Sequence, residues 1–358
     1  MTTITMKDLS SAATIARTDL MMTGNPSTGL LKKTTIAQLG ISGNVKLYGA
    51  TGDGTTDDTT AVQAAITAEQ DVFFPPGNYV LSNLTIATDG TTLRGVGQQS
   101  KLTFKTGSTG AMLTCGTNKI CIDSLQLSAG ATTQKGVSSS AANRTAISMS
   151  TQIDSIVSNC SINGFANYAI LENGAVTKDR LSHARFHAIN VENCWNAFSL
   201  IANSEYISLS DVSCKGCYVG AEATAGNITI SNSQFVDCGI GVWVRKNGNI
   251  NNSHGNANGC LINHCTTAIF CDGVDFGFNF VGCNVFEGLI VFDDSVGVNI
   301  NSGIIDPSEV RLSGGGRNYI RHNYNPGTYA GTITHDYGAV ADDTEFEGNY
   351  KANGTAWA

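Results

Sequence analysis

The sequence predicts an all-β solenoid, a single-stranded parallel β-helix, and three observations carry that prediction. The first is a repeat between about Val191 and Asp294. Cys194-Trp-Asn-Ala-Phe198, Cys217-Tyr-Val-Gly-Ala221, Cys238-Gly-Ile-Gly-Val242, Cys265-Thr-Thr-Ala-Ile269 and Gly288-Leu-Ile-Val-Phe292 align, at steps of 23, 21, 27 and 23 residues. Self-similarity at such a period marks stacked structural units. The second is alternation of apolar and polar residues between the repeats, as in Tyr206-Ile-Ser-Leu-Ser210 and Asn227-Ile-Thr-Ile-Ser231, the pattern of a half-buried strand. The third is composition. Charged residues are 14% of the chain and there are 40 glycines, which suits strands joined by many solvated turns. One coil per repeat follows, with the small Cys stacking on its equivalent in the next coil.

Residues 1–40 differ from the rest. Asp8 to Asp19 is compatible with a helix, with Leu9, Ala12, Ala13, Ala16 and Leu20 at roughly helical spacing. A turn follows at Gly24-Asn-Pro-Ser27, then Leu30-Leu-Lys-Lys-Thr-Thr-Ile-Ala-Gln-Leu39. This segment is too short to hold a core of its own. The stretch from Asp19 through Lys32-Lys-Thr-Thr-Ile-Ala-Gln-Leu39 resembles the amino-terminal segment of many bacteriophage tail proteins. That resemblance implies a virion anchor.

Residues 45–97 carry the most specific pattern. Tyr48-Gly-Ala-Thr-Gly-Asp-Gly-Thr-Thr-Asp-Asp-Thr-Thr60 runs into Ala61-Val-Gln-Ala-Ala-Ile66, then Val72-Phe-Phe-Pro-Pro-Gly-Asn-Tyr-Val80. Asp57 or Asp58 can cap a helix over residues 59–69, whose apolar face (Ala61, Val62, Ala65, Ile66) can plug the open end of a solenoid. The run is similar to the opening of the pectate-lyase-like superfamily, which implies a right-handed β-helix. The resemblance also implies that Asp53, Asp57 and Asp58 belong to the capping turn and not to catalysis. The β-helix is expected over 41–316, with a protruding loop around 128–145 and a charged excursion at Thr177–His187. After Gly314-Gly-Gly316 the residues Tyr319, Tyr324, Tyr329, Tyr337, Tyr350 and Trp357 crowd a tail without solenoid period. Residues 317–358 are read as a cap or trimerisation segment, and phage tail spikes, which it resembles, are trimers.

The net charge of −8 argues against nucleic acid as a partner. No stretch approaches the ~18 apolar residues of a membrane span, so no membrane insertion is expected. No long apolar run follows Met1, so no secretory leader is read. Synthesis in a reducing cytoplasm fits eleven cysteines, expected to be free thiols packed as small hydrophobes. Cys214-Lys-Gly-Cys217 has no second pair at a zinc-ribbon distance. Neither a metal nor another cofactor is expected.

Strand alternation assigns the chemistry. With Phe198, Ala221, Val242, Ile269 and Phe292 inward, the outward column is Ser199, Glu222, Trp243, Phe270 and Asp293. A second column holds Ile201, Thr224, Arg245, Asp272 and Ser295, and together the two form one exposed patch. Trp243, Arg245 and Phe270 are the candidate substrate-binding residues, since aromatic rings stack on sugars and Arg binds hydroxyls. The same aromatics can instead bury against another subunit. Asp272, Asp293 and Glu222 are the candidate catalytic residues, because glycoside hydrolysis needs a pair of carboxylates. Asp272 and Asp293 are expected on a diagonal of ~7–8 Å, and Asp294 is expected to point inward. No carboxylate cluster has calcium-loop spacing, which ranks hydrolysis above elimination. The polygalacturonase branch carries Gly-His-Gly and Arg-Ile-Lys signatures that are missing here, although Asp272-Gly-Val-Asp275 and Asp293-Asp294 are present. His183, His187, His264 and His322 are scattered and read as surface or core histidines.

The expectation is a virion tail-spike protein that recognises, and cleaves as a glycosidase, a host surface polysaccharide. It would act as a homotrimer and meet other tail proteins through residues 1–40. The alternative is a non-catalytic glycan-binding or adaptor protein of the tail that retains the β-helix.

Overall fold

The structure is a computed structural model. It describes residues 20–24, 31–35, 43–130, 143–150, 153–172, 183–201, 205–224, 226–246, 254–326, 332–336 and 345–351. They form a parallel β-solenoid, one face of which is an 11-stranded sheet running in chain order from Leu84–Ile86 to Thr332–Asp336. Each coil adds one strand to this sheet and two short strands to the other faces, as in Ile228–Ser231, Gln234–Val236 and Ile240–Arg245.

Corners between strands need a residue in the left-handed region, and the sequence supplies residues that tolerate it. In the coil just named, Asn227, Asn232 and Asp237 have φ of 51, 50 and 53°. Gly216 and His264 occupy the Asp237 corner in the neighbouring coils. A small residue follows the corner and turns inward. Cys194, Cys217, Cys238 and Cys265 stack this way on successive coils, each at most 2% exposed. Large apolar residues such as Phe186, Phe198, Phe235, Phe280 and Phe292 fill the interior between them.

All eleven cysteines are free, and ten are buried. Burial pushes the Cys115, Cys160 and Cys194 thiols up to about 12, which leaves them unreactive. A thiol reagent added to the native protein is therefore expected to modify Cys121 at most, and all eleven groups once the chain is unfolded. Rapid native labelling of several thiols would contradict this packing.

The helix Thr59–Ala68 closes the amino-terminal end, burying Val62, Ala65 and Ile66. Of the two aspartates expected to cap it, Asp57 accepts from Thr59 N at 3.0 Å. The Asp58 side chain makes no capping bond and instead holds the preceding turn, accepting from Thr51 N at 2.6 Å and Gly52 N at 3.0 Å. Asp57 also takes Lys105 Nζ at 2.8 Å, and these partners, Lys105 first, push its carboxyl down to about 2. Asp53 accepts from Thr55 N and Thr56 N, so all three act in the fold. Leu20–Gly24 and Leu31–Thr35 pair as an antiparallel hairpin, Met22 opposite Lys33. The helix expected over Asp8–Asp19 lies outside the described residues, as does most of the expected loop at 128–145. Arg185–His187, expected in the charged excursion, is a strand.

The carboxy-terminal segment differs from expectation. Tyr319–Arg321 pairs with Asn299–Asn301, Thr332–Asp336 with Glu309–Ser313, and Glu345–Glu347 with Tyr319–Arg321. The solenoid thus continues past residue 316. Its period was hidden because the corner marked by Cys194 to Cys265 goes on as Gly288 and Ser308, while Asn323 and Asn349 hold the corner that Cys260 and Cys283 hold earlier. Buried Asn323 donates to Ile300 O at 3.1 Å, and Asn349 accepts from Asn323 N at 3.0 Å and donates to Ile320 O at 2.7 Å.

Candidate functional site

The candidate site lies on the outer face of the long sheet. Ala221, Val242 and Ile269 are in register and fully buried, as expected. Their successors Glu222, Trp243 and Phe270 are therefore aligned on the opposite face, and Arg245 is aligned with Asp272. Trp243 and Phe270 stack with ring centroids 5.8 Å apart and planes 5° from parallel, both half-buried. The Arg245 guanidinium lies over Trp243 at 4.7 Å from its centroid, a cation–π contact.

Register differs from expectation in the next coil. Ile269 pairs with Ile290, Phe270 with Val291, and Asp272 with Asp293. The shift falls between Thr267 and Ile269, where Ala268 has no counterpart. The coil at Leu289–Asp293 is shorter at its corner and lacks the bulge, so its strand slides relative to a simple alignment from the corner residue. Phe292 still faces inward, beside Cys271. Asp293 thus leaves the first outward column and stands directly beside Asp272, ~4.8 Å away at the backbone, not on the diagonal. Ser295, expected outward, is buried at a corner, its Oγ accepting from Val274 N at 3.1 Å. Asp294, expected inward, is an exposed corner residue with φ 42°.

Two carboxylates with different surroundings result. Asp272 is half-buried. Burial pushes its carboxyl above the usual range, the charge of Asp293 adds to this, and Arg245 opposes it. Glu222 was expected to be exposed and is 4% exposed. It receives Asn196 Nδ2 at 2.9 Å, Ser199 Oγ at 2.8 Å and Arg245 Nε at 2.8 Å, and its other Arg245 contact is 2.6 Å. Ser199 and Thr224 are buried with it, so the exposed patch begins at Trp243 and not at Ser199. Glu222 is a clamp on Arg245 and is not placed for proton transfer to a ligand. The neighbouring Tyr168 phenol is pushed up by burial and by the Glu222 charge. Asp275, the last residue of Asp272-Gly-Val-Asp275, is held by Lys246 at 2.6 Å. No group of three or more His, Cys, Asp or Glu among the described residues could hold a metal ion.

A second feature was not anticipated. Trp195 and Tyr218 stack at a corner, centroids 4.0 Å apart and planes 12° from parallel. The signal was an aromatic residue directly after Cys in two successive repeats. His264 stands on a nearby corner, 3.9 Å from Asp237 and 3.8 Å from Glu287. His183 and His187 are also surface residues, beside Asp154 at 3.4 Å and Asp211 at 3.3 Å.

Among solved structures, the chain is similar to the catalytic unit of an alpha-1,3-glucanase from Streptomyces thermodiastaticus, at 16% identity and TM-score 0.61, over 88% of this chain and 68% of that one. It is similar to the pre-mature gene product 12 of bacteriophage phi29, at 14% identity and TM-score 0.62, over 86% of this chain and 52% of that one. Tailspike protein 2 of an Escherichia coli O157:H7 bacteriophage matches at 15% identity and TM-score 0.55, over 86% of this chain and 42% of that one. The chain thus spans about half or less of these two phage proteins, and the likeness is one of fold. No curated protein matches the sequence. A family model described as rhamnogalacturonase A/epimerase, pectate lyase-like, matches residues 42–270, ending just before Asp272. Since that match takes in most of the solenoid and more than half of the chain, the protein belongs to the pectate-lyase-like rhamnogalacturonase A/epimerase family.

Proposed function

We propose that the protein is a bacteriophage tail-spike component that binds a host surface polysaccharide and cleaves it by hydrolysis. The observation that carries this reading is the in-register pair Asp272 and Asp293, set beside Arg245 and the Trp243–Phe270 stack. With backbones ~4.8 Å apart, in-register side chains can bring their carboxyl groups to the ~5–5.5 Å that retaining glycosidases use. Asp272, its carboxyl raised, supplies the general acid. Asp293 serves as nucleophile or base, and the aromatic pair gives the sugar rings an apolar floor. The tail-protein resemblance of residues 19–39 supports the virion location, and the phage proteins sharing the fold agree with it. Residues 1–40 are proposed as the anchor to other tail proteins, and the working unit as a homotrimer.

The test is release of reducing ends from a panel of capsule and O-antigen preparations. Binding to a preparation without release would overturn hydrolysis in favour of a glycan-binding or adaptor protein. In either case Trp243→Ala is expected to weaken glycan binding by about 1–3 kcal/mol, the contribution of one buried aromatic side chain. Mass measured by light scattering should not change. A variant that loses its oligomeric state and keeps its glycan affinity would turn this face into a subunit interface.

A further inference from the structure

We infer that the corner bearing Tyr218 is a second sugar-binding subsite, selective for uncharged pyranose rings. The inference rests on the glycan-binding part of the proposed function and does not need the hydrolytic part. Residues 195, 218, 239 and 266 each follow a corner cysteine and stack coil on coil, with Tyr218 N donating to Cys194 O, Gly239 N to Cys217 O and Thr266 N to Cys238 O. The column therefore reads Trp, Tyr, Gly, Thr. Trp195 covers one face of Tyr218 and fixes the ring. Tyr218 is nevertheless 43% exposed. The next position in the column is Gly239, where a Cβ would stand 2.8 Å from Tyr218 O and 3.1 Å from Tyr218 Cδ2. Any side chain there would press on the ring, so glycine keeps the space beside it open. The result is a surface groove of about 340 Å³, lined in part by Gly216, Tyr218, Asp237, Gly239, His264 and Thr266.

This chemistry suits a sugar. A rigid aromatic face at one end offers an apolar surface to the axial C–H bonds of a pyranose. At the other end Asp237, His264 and Glu287 form a chain of polar groups that can take up hydroxyl hydrogens. The Asp237 carboxylate in the lining, with Glu287 behind His264, would repel a uronate or a sulfated sugar, which sets the ligand class as uncharged. Gly239 lies four residues before Trp243 in the same coil, roughly 13 Å at strand rise. One glycan chain can therefore touch both the corner and the outer face of the sheet.

The full chain, titrated with isomaltohexaose, chitohexaose, mannohexaose and hexagalacturonate, tests the assignment. At least one neutral hexamer is expected to bind, at least about tenfold tighter than hexagalacturonate. Tyr218→Ala should weaken that binding about tenfold with little change in thermal midpoint, because the ring is 43% exposed, and Gly239→Val should weaken it too by filling the groove, with a lower midpoint because its Cβ would press on the Tyr218 carbonyl oxygen. Asp237→Asn with Glu287→Gln should raise the relative affinity of hexagalacturonate. Binding of none of the neutral hexamers, preference for hexagalacturonate, or wild-type affinity in Tyr218→Ala would overturn the inference. If Tyr218→Ala has no effect while Trp243→Ala weakens binding, the corner subsite fails and the outer-face site stands. The reverse pattern supports the corner and removes the outer face.

Discussion

Asp272→Asn is expected to lower cleavage of a susceptible polysaccharide by about 10²–10⁴-fold, the range that a positioned general acid contributes. Binding should survive, since the amide keeps the shape of the carboxyl. Asp293→Asn should cause a loss of similar size, because the two stand in register and the proposed hydrolysis needs both carboxylates. The pH dependence has a definite sign. The folded carboxyl of Asp272 is raised above its unfolded value, so the acid form persists to higher pH than for an ordinary aspartate. Cleavage should fall as pH rises through that raised value. The same shift means that the folded state binds its proton more tightly than the unfolded chain. Stability is then lost as pH climbs from the unfolded pKa to the folded one. Asp272→Asn removes that loss and should leave the protein equally or more stable at neutral pH, a trade of activity against stability. An Asp272→Asn variant with wild-type rates would remove Asp272 from the proposed chemistry. A fall in thermal midpoint would show a structural role instead.

The largest effect on stability is expected from Glu222→Ala. Its carboxylate is 4% exposed and holds Asn196, Ser199 and Arg245 together across three coils. Removing one partner of a buried pair leaves the other charge uncompensated, at about 3–5 kcal/mol. Here the Arg245 side chain is 37% exposed and regains some water, which brings the expected loss to about 2–4 kcal/mol. Denaturant midpoints at unchanged slope would measure it, and a loss under about 1 kcal/mol would show that the clamp is replaceable. Glu222→Ala also frees Arg245 to approach Asp272. The alkaline limb of any activity should then move to lower pH, since a closer guanidinium favours the carboxylate.

Most of the fold was legible because the corners are chemically specific. Cys after a left-handed corner residue marks the coil, and four successive coils could be aligned correctly from it. The fifth could not, because two features of one coil, a longer corner and the bulge at Ala268, leave no trace in an apolar–polar alternation. That slip misplaced Asp293 and hid its pairing with Asp272. Glu222 was assigned correctly to the outer face, yet its burial depends on Arg245 reaching back from the next coil. Alternation tells which way a side chain leaves the sheet, and not what folds over it. In the last coils the marker position holds Gly288 and then Ser308 in place of Cys, and the repeat disappears from view, while Asn323 and Asn349 maintain another corner with hydrogen bonds. The Trp195–Tyr218 stack is legible in the aligned repeats as two aromatics that directly follow a corner cysteine, but they lie outside the strands, where alternation assigns no face.

The stacking of coils has a mechanical consequence. Strands lie across the long axis, so the ladder hydrogen bonds run along it. A load that lifts one end of the chain meets those bonds a few at a time, as in peeling, whereas compression and bending meet whole rungs at once. The rod should thus be stiff under thrust and yield in steps under traction. Phe198 and its partner Ala221 are 23 residues apart, so each released coil would lengthen the chain by roughly 75 Å at ~3.3 Å per residue. A single molecule stretched from its ends should therefore give a regular sawtooth of force, with the spacing of the teeth reading out the length of each coil in turn.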